Sequence, residues 1–282
     1  PMGLGRIADL DGDGALELVA TGTLASGEPV TTILDAATGV VLATIPGQQH
    51  VMALEPTAGE TLLLTQASQQ LLGWRFDRAA PARTTLAWRL KDRRVLTTRD
   101  AARSGAVPLV TGAVMFDANG DGALDLATVD TKRPNELVVY DVRNPADTPL
   151  VSWRGAPGSE VLAAWRDGQR LVVSTSDGRL SSLTLPALVT LGSFRAGQYF
   201  DPGSWLNLDR SPVAAQLSGD AAAEIVVPDS RRTLLALDAR NATNADPPMR
   251  LWELRNAFAP TIVADLGGQP GVMCRRRDNG TV

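Results

Sequence analysis

Two acidic loops constrain this chain more than any other feature. The first reads Asp9-Leu10-Asp11-Gly12-Asp13-Gly14-Ala15-Leu16-Glu17. The second reads Asp117-Ala118-Asn119-Gly120-Asp121-Gly122-Ala123-Leu124-Asp125. Both carry oxygen side chains at positions 1, 3, 5 and 9 and glycines at positions 4 and 6. Hard oxygen donors in a glycine-bent loop are what calcium requires. Each loop then runs into an apolar stretch, residues 16–19 and 124–127, which reads as a strand. The pair therefore points to a metal and reveals an internal repeat.

A helix–loop–helix calcium site needs a carboxylate at position 12 and a flanking helix. Position 12 is Ala20 in the first loop and Thr128 in the second. With the last ligand at position 9 and a strand behind it, the pattern resembles the calcium loop of FG-GAP/VCBS repeats, the blades of integrin-α-like β-propellers. The first loop then offers Asp9, Asp11, Asp13 and Glu17, with the carbonyl of Ala15 at position 7 completing the site. The second offers Asp117, Asn119, Asp121 and Asp125, with the carbonyl of Ala123. The first loop holds one more negative charge, so charge count alone ranks it the tighter binder. An acidic turn that needs no ion is the competing reading of each.

Aligning on these loops gives a unit of about 45–60 residues, the size of a propeller blade. Blade units fall near 5–50, 51–111, 112–160, 161–211 and 212–259, with a partial sixth at 260–282 holding about two strands. Each full unit shows four runs rich in Val, Leu and Thr, bounded by Gly, Asp and Asn. No segment holds a 3.6-residue period over several turns. The expected fold is all-β, a single propeller domain of about six four-stranded units with the last incomplete. Asp177-Gly178 is a two-residue hairpin signal. Trp88, Trp153 and Trp252 recur in the fourth strand, where an aromatic suits packing between blades. The equivalent stretches 216–224 and 265–268 have lost most ligands, so calcium is not expected there.

Composition narrows the rest. The chain has 282 residues, 44% of them hydrophobic, and a formal net charge of −4. That balance argues against nucleic acid as the main partner. The run Arg275-Arg276-Arg277 reads as a solvated turn. No apolar run approaches the roughly 20 residues that span a bilayer. The start Pro1-Met2-Gly3 is expected of a mature or partial segment of a longer protein. Cys274 is alone and can form no internal disulfide. His50 is the only histidine, which excludes multi-histidine metal sites. No nucleophile elbow is visible. Leu-Asp-Ala segments near Asp35 and Asp238 also look like quinoprotein propeller repeats. Asn241-Ala242-Thr243 and Asn279-Gly280-Thr281 match glycosylation sequons.

Two long connections, 91–111 and 196–211, read as loops between one blade's last strand and the next blade's first. The second holds Tyr199, Phe200 and Trp205 in a chain only 5% aromatic. With Arg93 and Arg94 from the first, they form the candidate ligand surface for a protein or carbohydrate. Strand alternation puts these connections on the face opposite the acidic loops. The resemblance implies a noncatalytic, calcium-stabilised binding or adhesion module of an exported or cell-surface protein, extracellular or periplasmic. A calcium-dependent polysaccharide lyase of propeller type is one alternative. A structural subunit of an envelope assembly, with a partner covering the incomplete blade, is the other.

Overall fold

A computed structural model describes residues 7–47, 49–57, 60–67, 70–96, 114–143, 148–167, 169–195, 213–215, 224–229, 233–238, 249–255, 257–263 and 271–276. Every regular element among them is a strand. The first sheet is β1 (Ile7–Ala8), β2 (Glu17–Thr23), β3 (Pro29–Asp35) and β4 (Val41–Pro46); the second is β5 (Gln49–Thr57), β6 (Glu60–Ala67), β7 (Gln70–Phe76) and β8 (Thr84–Lys91). The third has five strands: β9 (Arg93–Val95), β10 (Met115–Phe116), β11 (Asp125–Asp130), β12 (Glu136–Tyr140) and β13 (Val151–Arg154). The fourth is β14 (Val161–Asp167), β15 (Arg170–Thr175), β16 (Arg179–Thr184) and β17 (Thr190–Arg195). The fifth is β18 (Val213–Ala215), β19 (Glu224–Asp229), β20 (Thr233–Asp238) and β21 (Met249–Arg255). The last pairs β22 (Ala257–Val263) with β23 (Gly271–Arg276).

Within each four-stranded sheet the order follows the chain, so neighbours in sequence pair antiparallel. Burial explains which residue types each strand uses. β11 and β12 are buried at every residue; each opens on an acid, Asp125 or Glu136, and runs through apolar or small residues to an acid or tyrosine. A strand covered on both faces needs no polar alternation. The fourth strand of the third sheet, β13, alternates half-buried and exposed residues, and carries Trp153 on its covered face. Trp153 Nε1 donates to Thr190 Oγ1 of β17 at 3.0 Å, joining two sheets at their outer strands. Trp88 acts within its own sheet: it lies opposite Gly73, and a Cβ on Gly73 would meet its indole at 2.2 Å. Trp252 is half-buried on β21.

The chain divides into two compact units. One comprises Pro1–Val95, Met115–Arg133 and Val138–Ser152, and contains both acidic loops; the other comprises Leu96–Val114, Pro134–Leu137 and Trp153–Val282. In the first unit, Leu10, Val19, Ile33 and Ile45 pack with Leu63 and Phe76 of the second sheet. This apolar cluster sits directly beneath the first acidic loop, because Leu10 is the loop's second residue.

Two sequence expectations change. Residues 91–111 are not one connection. The chain turns at Asp92, whose φ of 55° is left-handed, and enters β9 at once. β9 and β10 both pair with β11, at Val95↔Thr128 and Phe116↔Asp125. The first strand of this sheet is therefore split, and the Val114 N–H donates to the Leu96 carbonyl at 3.1 Å across the break. Charged Arg93 and Arg94 hid the strand, because its pairing is set by a distant partner. Two residues of the basic run are likewise not in a turn: Arg275 and Arg276 lie in β23, opposite Phe258 and Ala257. The sixth unit opens with β22 at Ala257, three residues earlier than the expected 260.

Candidate metal centres

The two acidic loops adopt the same conformation. All four glycines are left-handed, with φ of 78° and 86° at Gly12 and Gly14 and 80° and 84° at Gly120 and Gly122. Such angles strain any residue with a Cβ. Position 1 then accepts from both glycine N–H groups. Asp9 takes Gly12 at 2.7 Å and Gly14 at 3.0 Å; Asp117 takes Gly120 at 2.6 Å and Gly122 at 2.9 Å. Position 5 accepts from the N–H of position 7: Ala15 to Asp13 at 2.7 Å, Ala123 to Asp121 at 2.8 Å. Position 3 accepts from the N–H of position 5, Asp13 to Asp11 at 3.4 Å and Asp121 to Asn119 at 3.0 Å. The main-chain N–H groups thus fix the loop acids in the same arrangement in both loops.

Position 9 opens the second strand and is buried in both loops, Glu17 at 0% and Asp125 at 1% exposure. One oxygen closes the loop by accepting from the N–H of position 2: Leu10 to Glu17 Oε2 at 2.9 Å, Ala118 to Asp125 Oδ2 at 2.8 Å. Oxygens of Asp9, Asp11 and Glu17 come within 4.8 Å of one another, close enough to share one cation. Each loop also gains an acid from the end of the third strand. Asp35 pairs in register with Glu17, and Asp141 follows β12, near enough for its charge to act on Asp125. Sequence reading missed both as parts of these centres. The available signal was an acid ending the third strand of each loop-bearing unit.

Arginines enter both centres. Arg78, from the turn between β7 and β8, reaches across from the second sheet into the first loop. Its Nη2 pairs with Glu17 Oε1, its Nη1 with Asp35 at 3.1 Å and its Nε with Asp13 at 3.6 Å. Its main-chain N–H donates to Asp11 Oδ2 at 2.8 Å. The Glu17 contact holds the guanidinium's pKa above its ordinary value, and the bond from the Thr38 N–H leads in holding Asp35 below its own. In the second loop Arg143, which follows β12, pairs with Asp121 and stands 3.9 Å from Asp141. The Ala123 N–H, with help from Asn119 and Arg143, keeps Asp121 below the ordinary carboxylate range.

Asp125 is the exception. Its Oδ1 is buried and has no hydrogen-bond partner among the described residues. Burial, then the charges of Asp141, Asp121 and Asp117, push its pKa up to about 6 against the Ala118 N–H bond. A buried carboxylate oxygen without a donor is costly, and a hard cation among these acids would satisfy it. The converging acids of the first loop fit calcium; in the second loop no three acids come within 4.8 Å of one another among the described residues, and Asp125 is the group an ion would relieve.

The other candidate residues are spread out. Arg93 Nη1 pairs with Asp130 at 3.0 Å, its Nε and Nη2 donate to the Tyr140 hydroxyl at 3.1 and 2.9 Å, and its guanidinium lies 5.5 Å from the Tyr140 ring centre. It is a strand residue gripping its own sheet. Arg94 pairs opposite Val129. Tyr199, Phe200, Trp205, both sequons and the stretch 216–223 lie outside the described residues. Glu224, the position-9 equivalent of the fifth unit, is buried. His50 lies in β5 opposite Thr65 and Cys274 in β23. Among the described residues no helix is long and apolar enough to cross a membrane.

No protein-family model matches the chain, and no curated protein matches it. Solved structures do. The WD40 domain of Toxoplasma gondii coronin matches at TM-score 0.53 and 15% identity, covering 95% of this chain and 62% of that one. Saccharomyces cerevisiae Sqt1 matches at 0.53 and 11%, covering 92% and 64%. Citrobacter koseri AztD matches at 0.50 and 15%, covering 99% and 63%. This chain spans less than two thirds of the length of these structures. The likeness establishes the fold, a β-propeller with its last unit incomplete among the described residues.

Proposed function

We propose that the chain is a noncatalytic propeller module whose acidic loops bind calcium for stability, and that it serves recognition or adhesion in an exported or cell-surface protein. The observation that carries the reading is the duplicated loop. Two stretches far apart in sequence hold their acids through the same hydrogen bonds, the acids of one converge, and the other leaves a buried carboxylate oxygen unmatched. Duplicated geometry of this kind is hard to explain by turn formation alone. Asp9, Asp11, Asp13, Glu17 and the Ala15 carbonyl would hold one ion. Asp117, Asn119, Asp121, Asp125 and the Ala123 carbonyl would hold the other. Bound there, calcium would cross-link a loop to the strand behind it; no bond-making chemistry is needed.

Rigid propellers carry recognition on their connecting loops. The aromatic segment with Tyr199, Phe200 and Trp205 is the candidate contact for a protein or carbohydrate partner. A loss of partner binding in Trp205→Ala, with melting unchanged, is the matching expectation.

The test is metal analysis of protein equilibrated in millimolar calcium, followed by melting with and without chelator. Two ions per chain and a lower melting temperature after chelation are expected. A ligand at one hundred times its dissociation constant stabilises by about 2.7 kcal/mol. A stoichiometry near zero sinks the calcium reading.

A further inference from the structure

The proposed calcium role treats the loops as equals, and the charge count favours the first. The side chains around position 9 do not. In the first loop both oxygens of Glu17 are engaged, one by the Leu10 N–H and one by Arg78. The guanidinium also spans Asp13 and Asp35, so it lies among the same acids that a cation would use. An ion entering there must first displace a guanidinium hydrogen-bonded to Glu17 and Asp35, with Asp13 3.6 Å from its Nε. In the second loop the arginine grips a different residue. Arg143 holds Asp121, whose side chain is partly exposed, and leaves Asp125 Oδ1 buried and unmatched.

We infer that Arg78 is a built-in cation for the first loop, and that the second loop is the tighter calcium site. This rests on the calcium reading and reverses the ranking that charge alone gives. The physical reason is placement. Calcium gathers several oxygens at once, including the carboxylate that anchors the strand. A buried oxygen with no donor gains most from an ion, and an oxygen already paired with a guanidinium gains least. Arg78 also comes from the second sheet, so the pairing ties two sheets together without metal. Among the described residues the second loop has no arginine from another sheet, so an ion would matter more to it.

Calorimetric titration of the calcium-stripped chain with calcium chloride tests this. The wild type should show two unequal sites. Asp125→Asn, which leaves Arg78 in place, should remove the tighter one. Arg78→Gln should tighten the weaker site severalfold, the scale of one lost ion pair, and leave the tighter site alone. Arg78→Lys, which keeps a charge but loses the planar fork, should fall between and guards against misfolding of the glutamine variant. If Asp125→Asn removes the weaker site, or if both binding constants ignore the Arg78 substitutions, the inference is overturned while calcium binding stands. Absence of any binding heat in all variants overturns the calcium reading and the inference together.

Discussion

At the first loop, every oxygen of the strand-opening carboxylate has a donor, and the last donor arrives from another sheet. At the second loop the same position, with the same closing bond to the main chain, keeps one buried oxygen without a partner. The backbones are alike down to the glycine angles. What differs is where an arginine attaches. Arg78 approaches from the neighbouring sheet and finds the buried end of the cluster; Arg143 approaches from its own sheet and finds the partly exposed Asp121. Repeated backbone geometry thus fixes the shape of a cation site, and non-repeated side chains decide whether it is open.

The largest expected effect separates the two position-9 acids in calcium-free protein. Glu17→Gln should lose about 2 kcal/mol, because the guanidinium keeps only Asp13 and Asp35 and a buried amide now faces it. Asp125→Asn under the same conditions should be neutral or stabilising. Its amide can keep the Ala118 bond and turn N–H donors toward Asp117, Asp121 and Asp141. Chemical denaturation of both variants measures this. Equal losses would erase the distinction between a filled and an open site.

Much of the scaffold was legible. The expected repeat of four-stranded units recurs as sheets whose strands follow the chain order, because apolar runs and Gly–Asp turns are local signals. The paired loops were legible for the same reason: their ligands sit within nine residues of chain. Arg78 was not. Asp77-Arg78-Ala79-Ala80-Pro81 reads only as a turn, and its partner Glu17 is 61 positions away. Asp35 and Asp141 were visible as acids at strand ends but became part of the centres only through sheet register. β9 was hidden because three residues with two arginines look like loop until β11 offers an edge. The sequence reading fails where the partner is remote, not where the residue is unusual.

A middle-sized effect checks that the loops share a backbone. Gly14 and Gly122 have φ of 86° and 84°, and an added Cβ meets nothing within 4 Å at either. Alanine at each position therefore costs only the left-handed strain, about 1 kcal/mol. The two losses should match, with calcium absent. Unequal losses in thermal or denaturant unfolding would mean that the loops differ in backbone as well as in side chains.

The smallest effect uses a third carboxylate as a reference for arginine closure. Asp130 ends β11, the strand that Asp125 begins, and pairs with Arg93 and Arg133, each at 3.0 Å. Burial pushes its pKa up, but the N–H groups of Arg133 and Lys132 and the charge of Arg93 outweigh it and hold the group below its ordinary 3.8. A depressed carboxylate binds fewer protons folded than unfolded near that value. Its contribution is therefore present in full above 3.8 and is lost as pH falls from there toward the folded value. Asp130→Asn should be less stable at neutral pH and should show a flatter loss of stability through the acid range. Denaturation midpoints compared from pH 6 to pH 3 would show the two curves converging as pH falls. Parallel curves would mean that pairing with Arg93 and Arg133 does not hold Asp130 charged, and arginine closure would then be a weaker explanation for the first loop as well.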